Sequence, residues 1–286
     1  MATIGLLHPG EMGGAIGAVL VGAGHRVLWC EAGRSEATRG RARTAGLEDA
    51  GAMAELAASC DCVLSVCPPY AAADVAARVR DAGFHGLYID ANAIAPETAR
   101  TLERDLAGKP KGKDGSIDLV DGGIIGPPPV RAGLTRLYLS GARGTEVAAW
   151  FAGTNVEAVV VEGGIGAASA LKMVYAGWTK GTTALLAAVV ATARAEGVEA
   201  DLLREWGRSV PDLERRVAGL PGVTRKAWRF EGEMREIAAT FEAAGLPAGF
   251  HQAAADVYAR LAELAEAADE QPPLLDALLE HLTKQS

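Results

Sequence analysis

The residues numbered 8–13, HPGEMG, lie where a short apolar run gives way to a helical pattern. Glycines at the third and sixth of these positions match the second and third glycines of G-x-G-x-x-G, the strand-to-helix turn that binds the pyrophosphate of a dinucleotide. Gly10 lets the backbone approach the pyrophosphate, and Gly13 lets the helix pack on its strand. The N–H groups at the helix start, here those of Glu11 and Met12, would face the phosphates. Because His8 stands where the motif has its first glycine, we predict a dinucleotide site whose tight turn forms in another way.

An acidic residue, Glu31, ends the next predicted strand. A carboxylate at this point accepts hydrogen bonds from the adenosine ribose hydroxyls and repels a 2′-phosphate, which favours NAD. Arg34 and Ser35 follow closely, with Arg39 one helical turn on, and these groups could hold the 2′-phosphate of NADP instead. The alternative for the two arginines is that they are solvated helix residues, so both NAD and NADP remain open.

A lysine, Lys172, lies near the start of a long apolar helical pattern. Hydride transfer to a carbonyl leaves an alkoxide that must be protonated, and the reverse reaction needs a base for the hydroxyl proton. A buried lysine can serve in both directions, and its charge can stabilise a developing oxyanion. Tyr175 and Thr179 share its helical face. For Lys172 the structural alternatives are an ion pair or a surface position with only the stem of the side chain buried. For Thr179 the alternative is a hydrogen bond to a helix carbonyl.

Strand-like apolar runs alternate with helical patterns over the first half of the chain. The predicted strands are residues 3–7, 26–30, 62–67, 86–90, 117–121, 137–140 and 157–161, and the helical patterns between them include residues 12–21, 71–81 and 96–107. Such alternation predicts a mainly parallel sheet covered on both faces. Residues 166–196 predict one long helix, apolar around most of its circumference and therefore buried centrally or between subunits. The fold class is α/β: a sheet domain of residues 1–162, followed by an all-helical domain of residues 163–286.

The composition argues against several classes of protein. The chain of 286 residues has a net charge of −8 and a pI of about 5.3, the opposite of the balance that neutralises nucleic-acid phosphates. Its apolar runs are shorter than the roughly 20 residues that span a bilayer, and its start does not have the pattern of a secretion signal. The four cysteines fit no zinc pattern, and no histidine, aspartate or glutamate cluster has ligand spacing. We therefore expect a cytoplasmic protein with reduced thiols, no metal, and no nucleic-acid or membrane partner.

Four stretches of the chain, in this order and spacing, resemble the β-hydroxyacid dehydrogenase superfamily, which includes 3-hydroxyisobutyrate and 6-phosphogluconate dehydrogenases and the imine reductases. The stretches are GLLHPGEMGGAIGAVLVGAGHRV, LSVCPP, YIDANAIAPET and GGIGAASALKMVYAGWTKG. More closely, the sequence is similar to a branch with a short helical C-terminal domain of unassigned function. The resemblance implies that residues 1–162 form a Rossmann domain that binds NAD or NADP. It also implies that residues 163–286 contribute to the substrate site and pair two subunits into a homodimer.

The same resemblance implies roles for individual residues. Cys67 and Pro68 would pass the cofactor at the carboxyl edge of the sheet, where ligands lie in such folds. Asn92 would lie where the superfamily has a serine or asparagine beside the nicotinamide and the substrate. Lys172 would lie at the centre of an active site between the two domains.

Two positions depart from the pattern of the hydroxyacid enzymes. Ile125 stands where those enzymes have a serine that binds the substrate carboxylate or hydroxyl, and Ala176 stands where they have an asparagine that orients the substrate. Tyr175 or Thr179 could supply the hydrogen bond that this asparagine no longer gives. We therefore expect a small-molecule substrate outside the familiar small hydroxyacids.

Three hypotheses for the function follow. The first is an NAD(P)-dependent oxidoreductase that transfers a hydride between nicotinamide and a small carbonyl or alcohol substrate, with Lys172 as general acid and base. The second is an imine reductase of the same superfamily, which the loss of the serine and asparagine favours and the retention of Lys172 disfavours. The third belongs to another class, a non-catalytic NAD(P)-binding redox sensor, and is suggested by Ile125 and Ala176.

Overall fold

The computed structural model describes residues 1–108, 116–264 and 273–283, and it divides into two compact units, Met1–Met173 and Val174–Ser286. The first unit contains a sheet of eight strands with helices on both faces. Its elements are β1 (Thr3–Leu7), α1 (Glu11–Gly22), β2 (Arg26–Trp29), α2 (Glu36–Thr44), β3 (Glu48–Asp49), α3 (Met53–Ser59), β4 (Cys62–Ser65), α4 (Ala72–Asp81), β5 (Gly86–Asp90), α5 (Pro96–Ala107), β6 (Ile117–Ile125), β7 (Thr135–Ser140), α6 (Gly144–Ala149) and β8 (Val156–Val160).

The strand order is β3-β2-β1-β4-β5-β6-β7-β8, and every neighbouring pair is parallel except β6 with β7. The chain therefore reverses its direction of travel across the sheet between β1 and β4. In open parallel sheets, ligands bind outside the carboxyl ends of the strands at such a reversal. The predicted fold class, a mainly parallel Rossmann-type sheet followed by helices, is confirmed.

The central strands bury side chains on both faces of the sheet. In β5, Leu87 and Ile89 belong to one apolar core and Tyr88 belongs to the other, because successive side chains of a strand point to opposite faces. This arrangement explains why the strand sequences are continuously apolar rather than alternating.

Most predicted strands and helices lie within two residues of the observed elements, but β6 continues four residues further than predicted, to Ile125. A pair of glycines is typical of a turn, but Gly122 and Gly123 lie within the strand and permit close packing there. A Cβ on Gly122 would lie 2.9 Å from the Asp90 carbonyl oxygen, and one on Gly123 would lie 2.9 Å from the Ala168 carbonyl oxygen. The elements β3, α2, α3 and α6 are absent from the prediction because they are short or polar.

The long helix α7 (Ala167–Ala195) confirms the helix predicted at residues 166–196, and the division into compact units falls within it, after Met173. The predicted domain boundary at residues 162–163 lies where the chain changes from strands to helices. The first turns of α7, including Lys172, thus pack with the sheet. The second unit contains the rest of α7, then α8 (Glu199–Ser209), α9 (Asp212–Ala218), α10 (Thr224–Ala243), α11 (Gly249–Ala262) and α12 (Leu275–Thr283).

The helices of the second unit pack around a core that includes Met234 and Ile237 of α10 and Ala255 and Tyr258 of α11, all at most 1% exposed. Within the described ranges, no helix combines the length and the hydropathy that a bilayer crossing requires.

Candidate functional site

The turn after β1 keeps the backbone shape of a dinucleotide-binding turn although its first glycine is missing. Among the described non-glycine residues, only His8 has a positive φ, of 67°. A non-glycine residue in this left-handed region costs roughly 1–2 kcal/mol. Gly10 N donates to the His8 carbonyl oxygen at 2.7 Å, which closes the turn over Pro9. A Cβ on Gly13 would lie 2.4 Å from the same oxygen, so this position requires glycine.

The imidazole of His8 is in a positively charged environment. Burial, together with the guanidinium groups of Arg34 and Arg78, lowers the pKa of His8 to about 4, so the ring is neutral at physiological pH. Its Nδ1 is buried without a hydrogen-bond partner among the described residues. Over the same part of the chain, neither Arg34 nor Arg78 has a side-chain ion-pair or hydrogen-bond partner. Two guanidinium groups and one neutral imidazole therefore lie near the carboxyl end of β1, where they fit an anionic ligand.

The predicted ribose-binding residue, Glu31, follows β2 and is partly exposed. Arg39 Nε lies 3.4 Å from its carboxylate, so its charge is partly compensated. Ser35 caps α2, since its hydroxyl accepts from Thr38 N at 3.3 Å and lies 3.1 Å from the Thr38 hydroxyl. Of the three groups considered for a 2′-phosphate, Arg39 contacts the Glu31 carboxylate and Ser35 is bonded to Thr38, which leaves Arg34.

At the carboxyl ends of β4 and β5, the predicted site residue Asn92 is 3% exposed and its side chain is bonded internally. Its Oδ1 accepts from Cys67 N at 2.5 Å, and its Nδ2 donates to Ser65 Oγ at 3.2 Å and to Asp90 Oδ2 at 2.7 Å. Burial raises the pKa of the Cys67 thiol to about 12, which excludes it as a nucleophile at neutral pH. The structure therefore brings Asn92 and Cys67 together, and the Asn92 side chain links the loop after β4 to the loop after β5.

Lys172 lies on the first turns of α7, close to the end of β6. Its Nζ donates to the Ile124 carbonyl oxygen at 2.7 Å, and its Cβ lies where a side chain on Gly123 would clash. Ile125, the residue in place of the expected serine, is 3% exposed. The ammonium group is therefore held at the carboxyl end of a central strand, and the hydroxyl that a serine would offer there is absent.

A buried carboxylate, Asp121 on β6, fixes the start of the helix that carries Lys172. Its Oδ2 accepts from Gly166 N and Ser169 N, both at 3.0 Å, and from Ser140 Oγ at 2.9 Å. Its Oδ1 accepts from Ser169 Oγ at 2.5 Å, and Ser140 Oγ accepts in turn from Ala168 N at 3.1 Å. The first N–H groups of a helix have no partner within the helix, and here a side chain of the sheet satisfies them.

Tyr175 and Thr179, the other predicted catalytic residues, belong to the second unit. Tyr175 is 47% exposed. Thr179 Oγ1 donates to the Tyr175 carbonyl oxygen at 3.2 Å, which is the structural alternative considered for this residue. Ala176 is 2% exposed and contributes only packing.

Three residues of this region were missed by sequence reasoning: Asp90, Asp121 and Arg78. A signal for the two aspartates was present, because each follows an uninterrupted apolar run, in YID and in LVD, where a carboxylate has to be bonded or neutralised. Arg78 carried no signal, since it is one of several arginines on an amphipathic helix. Among the described residues, no group of three or more histidine, cysteine, aspartate or glutamate side chains could hold a metal ion.

Comparison with known proteins identifies a domain in the second half of the chain. Residues 193–261 match a family described as a domain of unknown function, DUF1932. No curated protein matches the sequence.

Solved structures share the fold over nearly the whole chain. The conserved protein MTH1747, of unknown function and described as structurally similar to 3-hydroxyacid dehydrogenases, is 26% identical, with 93% of this chain and 98% of that chain covered and a TM-score of 0.65. A 3-hydroxyisobutyrate dehydrogenase from Mycobacterium tuberculosis is 20% identical, with 99% and 100% covered and a TM-score of 0.65. An imine reductase from Streptomyces aurantiacus is 18% identical, with 99% and 100% covered and a TM-score of 0.54.

The last two structures are too distant in sequence to show more than the fold. Together with MTH1747 and the DUF1932 domain, they confirm the resemblance to the superfamily of 3-hydroxyacid dehydrogenases and imine reductases. The position of the domain of unknown function also confirms the branch.

Proposed function

We propose that the protein is an NAD(P)-dependent oxidoreductase that transfers a hydride between nicotinamide and a small carbonyl or alcohol substrate, with Lys172 as general acid and base. The observation that carries this proposal is the ammonium group of Lys172, which the Ile124 carbonyl holds at the carboxyl end of β6. The His8 turn lies at the same edge of the sheet. The protein thus combines a proton donor and a phosphate-binding turn at the edge where ligands bind in this fold.

The residues of the turn fit a dinucleotide. Gly13 leaves no room for a side chain against the His8 carbonyl, and Gly10, the N-cap of α1, has no side chain in the way of a phosphate. When bound, the nicotinamide supplies or takes up the hydride. The residues that would hold its pyrophosphate are Gly10, Glu11, Met12 and Gly13, through the N–H groups that begin α1.

Lys172 acts on the oxygen of the substrate. In the direction of reduction, its ammonium donates a proton to the alkoxide that forms as the carbonyl carbon gains a hydride. In the direction of oxidation, its neutral amine takes the hydroxyl proton. Its hydrogen bond to Ile124 fixes the position of the nitrogen before the substrate arrives, which avoids the cost of ordering a flexible lysine during the reaction.

A screen of nicotinamide turnover tests the proposal. The purified protein is assayed with NADH and NADPH against ketones, aldehydes and cyclic imines, and with the oxidised cofactors against alcohols and 3-hydroxyacids. We expect turnover with a carbonyl or alcohol substrate. Tight cofactor binding with no turnover across these classes would instead favour the redox sensor, and turnover confined to imines would favour the second function.

The imine reductase remains the second candidate because the polar side chains predicted for the site are bonded within the protein, and the serine of the hydroxyacid enzymes is replaced. Ile125 is apolar and buried, the Asn92 amide is bonded internally, and the Thr179 hydroxyl is bonded to its own helix. A substrate that needs several hydrogen bonds to an oxyanion or carboxylate gains little from such residues.

We propose that NADPH is the preferred cofactor, since Arg34 and Arg78 are unpaired among the described residues whereas Arg39 partly compensates Glu31. Replacing Arg34 with alanine removes a charge-assisted hydrogen bond of about 1.5–3 kcal/mol. The Kd for NADPH should therefore rise roughly 10- to 100-fold, and that for NADH should change little. Isothermal titration measures both. Arg131→Ala, at an exposed loop position, is the control, and an equal loss for the two cofactors would contradict the assignment.

We propose a second copy of the chain as a partner of the helical unit. Trp178 and Leu185 of α7 and Phe250 of α11 are 72%, 62% and 79% exposed, and they border a groove of about 700 Å³. Small residues of α7 line the groove, among them Gly177 and Gly181. The same surface thus carries exposed apolar side chains and an apolar groove. An interface between identical copies needs both, because the same patch has to be complementary to itself.

Leu185→Glu is expected to convert a dimer into a monomer, because a charge in a buried apolar interface is strongly unfavourable. Size-exclusion chromatography with light scattering measures the mass. The control is Leu246→Glu, which is 55% exposed and is not among the residues that line the groove. A monomeric wild-type protein, or dissociation by both variants, would count against this surface.

A further inference from the structure

The side chain of Asn92 has its hydrogen-bonding groups assigned by its partners. Cys67 N–H needs an acceptor and the Asp90 carboxylate needs a donor, so Oδ1 faces Cys67 and Nδ2 faces Asp90. The opposite orientation would put two donors together on one side and two acceptors on the other. Both protons of Nδ2 are used, since the second is donated to Ser65 Oγ. Asn92 therefore acts inside the protein, between the loop after β4 and the loop after β5.

Asp90 is the residue that sets this orientation. Its Oδ1 accepts from Asn92 N at 3.0 Å and its Oδ2 accepts from Asn92 Nδ2 at 2.7 Å, so both oxygens act as acceptors for a single residue. The carboxyl group is completely buried. A protonated carboxyl or a carboxamide in its place can accept only one of these two bonds well, and the Asn92 amide then loses the contact that fixes it.

The titratable groups that face Asp90 come from three strands or the segments that follow them. Asp121 lies on β6, Tyr88 lies on β5 itself, and Cys67 follows β4. Burial and the charge of Asp121 raise the pKa of Asp90 to about 7 against the lowering effect of its two bonds to Asn92. The thiol and the phenol keep their protons at neutral pH because burial raises the pKa of each. Asp90 therefore changes charge near neutrality while these two neighbours do not.

We propose that Asp90 is a positioning residue that acts through Asn92: it orients the Asn92 amide, which holds Cys67 N–H and thereby sets the path of residues 67–69 beside the nicotinamide. The inference rests on the proposed function for the part that concerns the cofactor. The link from Asp90 to Cys67 stands on the hydrogen bonds alone. Asp90 touches neither substrate nor cofactor, and its effect is expected in the position of the loop.

Selective labelling with ¹⁵N-cysteine reads the position of Cys67 directly. The chain has four cysteines, so the amide spectrum contains at most four signals, and Cys67→Ser identifies the one from Cys67. As pH is raised through neutrality in the wild type, the Cys67 signal is expected to move in one step near the Asp90 pKa of about 7. His8, with a pKa of about 4, does not titrate in this range. A Cys67 signal that neither moves with pH in the wild type nor shifts in Asn92→Ala overturns the link, and this comparison needs no variant at Asp90.

Two variants extend the test to the cofactor. Asp90→Asn should abolish the pH step of the Cys67 signal. Asn92→Ala should abolish the step and also shift the signal itself. The controls, Asp81→Asn and Asn155→Ala, should leave both the step and the signal position unchanged. Each of the two test variants should raise the Kd for NADPH about 3- to 10-fold, the effect of roughly one hydrogen bond.

The outcomes separate the two claims. If the wild-type Cys67 signal shows the expected pH step but Asn92→Ala binds NADPH with unchanged affinity, the cofactor part of the inference is overturned. Failure of the wild type to bind either NADH or NADPH overturns the proposed function and the cofactor part with it, while the Cys67 signal still decides the link to Asp90.

Discussion

Replacing Lys172 with methionine is expected to lower kcat for a carbonyl or alcohol substrate by about 10²–10⁴-fold, the usual contribution of a general acid or base. Methionine keeps most of the length and volume of the stem, which packs against Gly123, and removes the nitrogen that bonds to the Ile124 carbonyl. Steady-state kinetics with the substrate found in the screen measures the loss. Cofactor affinity should stay within about threefold, since the lysine acts on the substrate oxygen.

Lys226→Met is the matched control, because Lys226 is exposed on α10, in the second unit. A Lys172→Met enzyme that retains carbonyl turnover within threefold of the wild type would remove Lys172 from the chemistry. Retention of imine reduction together with loss of alcohol oxidation would limit its role to the oxygen substrates.

Replacing Asp121 with asparagine is expected to lower the free energy of unfolding of the sheet unit by about 1–4 kcal/mol. The carboxylate accepts four hydrogen bonds, from Gly166 N, Ser169 N and the hydroxyls of Ser140 and Ser169. A carboxamide in either orientation turns an NH₂ group toward at least one of these donors. A buried donor without an acceptor costs about 1–3 kcal/mol, and the start of α7 loses its negative partner as well.

Urea unfolding monitored by circular dichroism measures this change. Hydrogen exchange assigns it to a unit, since two compact units need not unfold in one step. Asp118→Asn is the control: it lies on the same strand, is 57% exposed at its side chain and pairs with Arg143, so a change within about 0.5 kcal/mol is expected. Equal stability of the Asp121 and Asp118 variants would show that the bonds to α7 contribute little.

The order of the elements and the nature of the fold could be predicted because hydrophobic pattern and turn residues are local signals. The strands around the candidate cofactor site, the glycine turn and the long helix were all predicted within a few residues. The elements that were missed are short or polar, such as α2, whose formation depends on the Ser35 cap and on packing against the sheet unit. The continuation of β6 was missed because a pair of glycines signals a turn locally, whereas here Gly123 permits the close approach of α7 and Gly122 that of the end of β5.

The sequence predicted which residues lie near the candidate site, but it did not predict the hydrogen bonds between them. Asn92 follows β5 at the carboxyl edge of the sheet, but its bonds to Asp90 and Cys67 join the end of β5 to the loop after β4, and no sequence pattern specifies such a pairing. The same holds for Asp121, whose partners lie on β7 and at the start of α7. Side chains that act between distant segments become visible only when the fold brings those segments together.

The left-handed backbone of His8 has a consequence for how this part of the chain tolerates change. At most positions in a protein, substitutions are sorted by volume or polarity, but at position 8 the first requirement is a backbone that accepts this handedness. Glycine, asparagine and aspartate enter that region at low cost, whereas valine, isoleucine and threonine are opposed by their branched Cβ. The chirality of the amino acid therefore limits which sequences can occupy this turn.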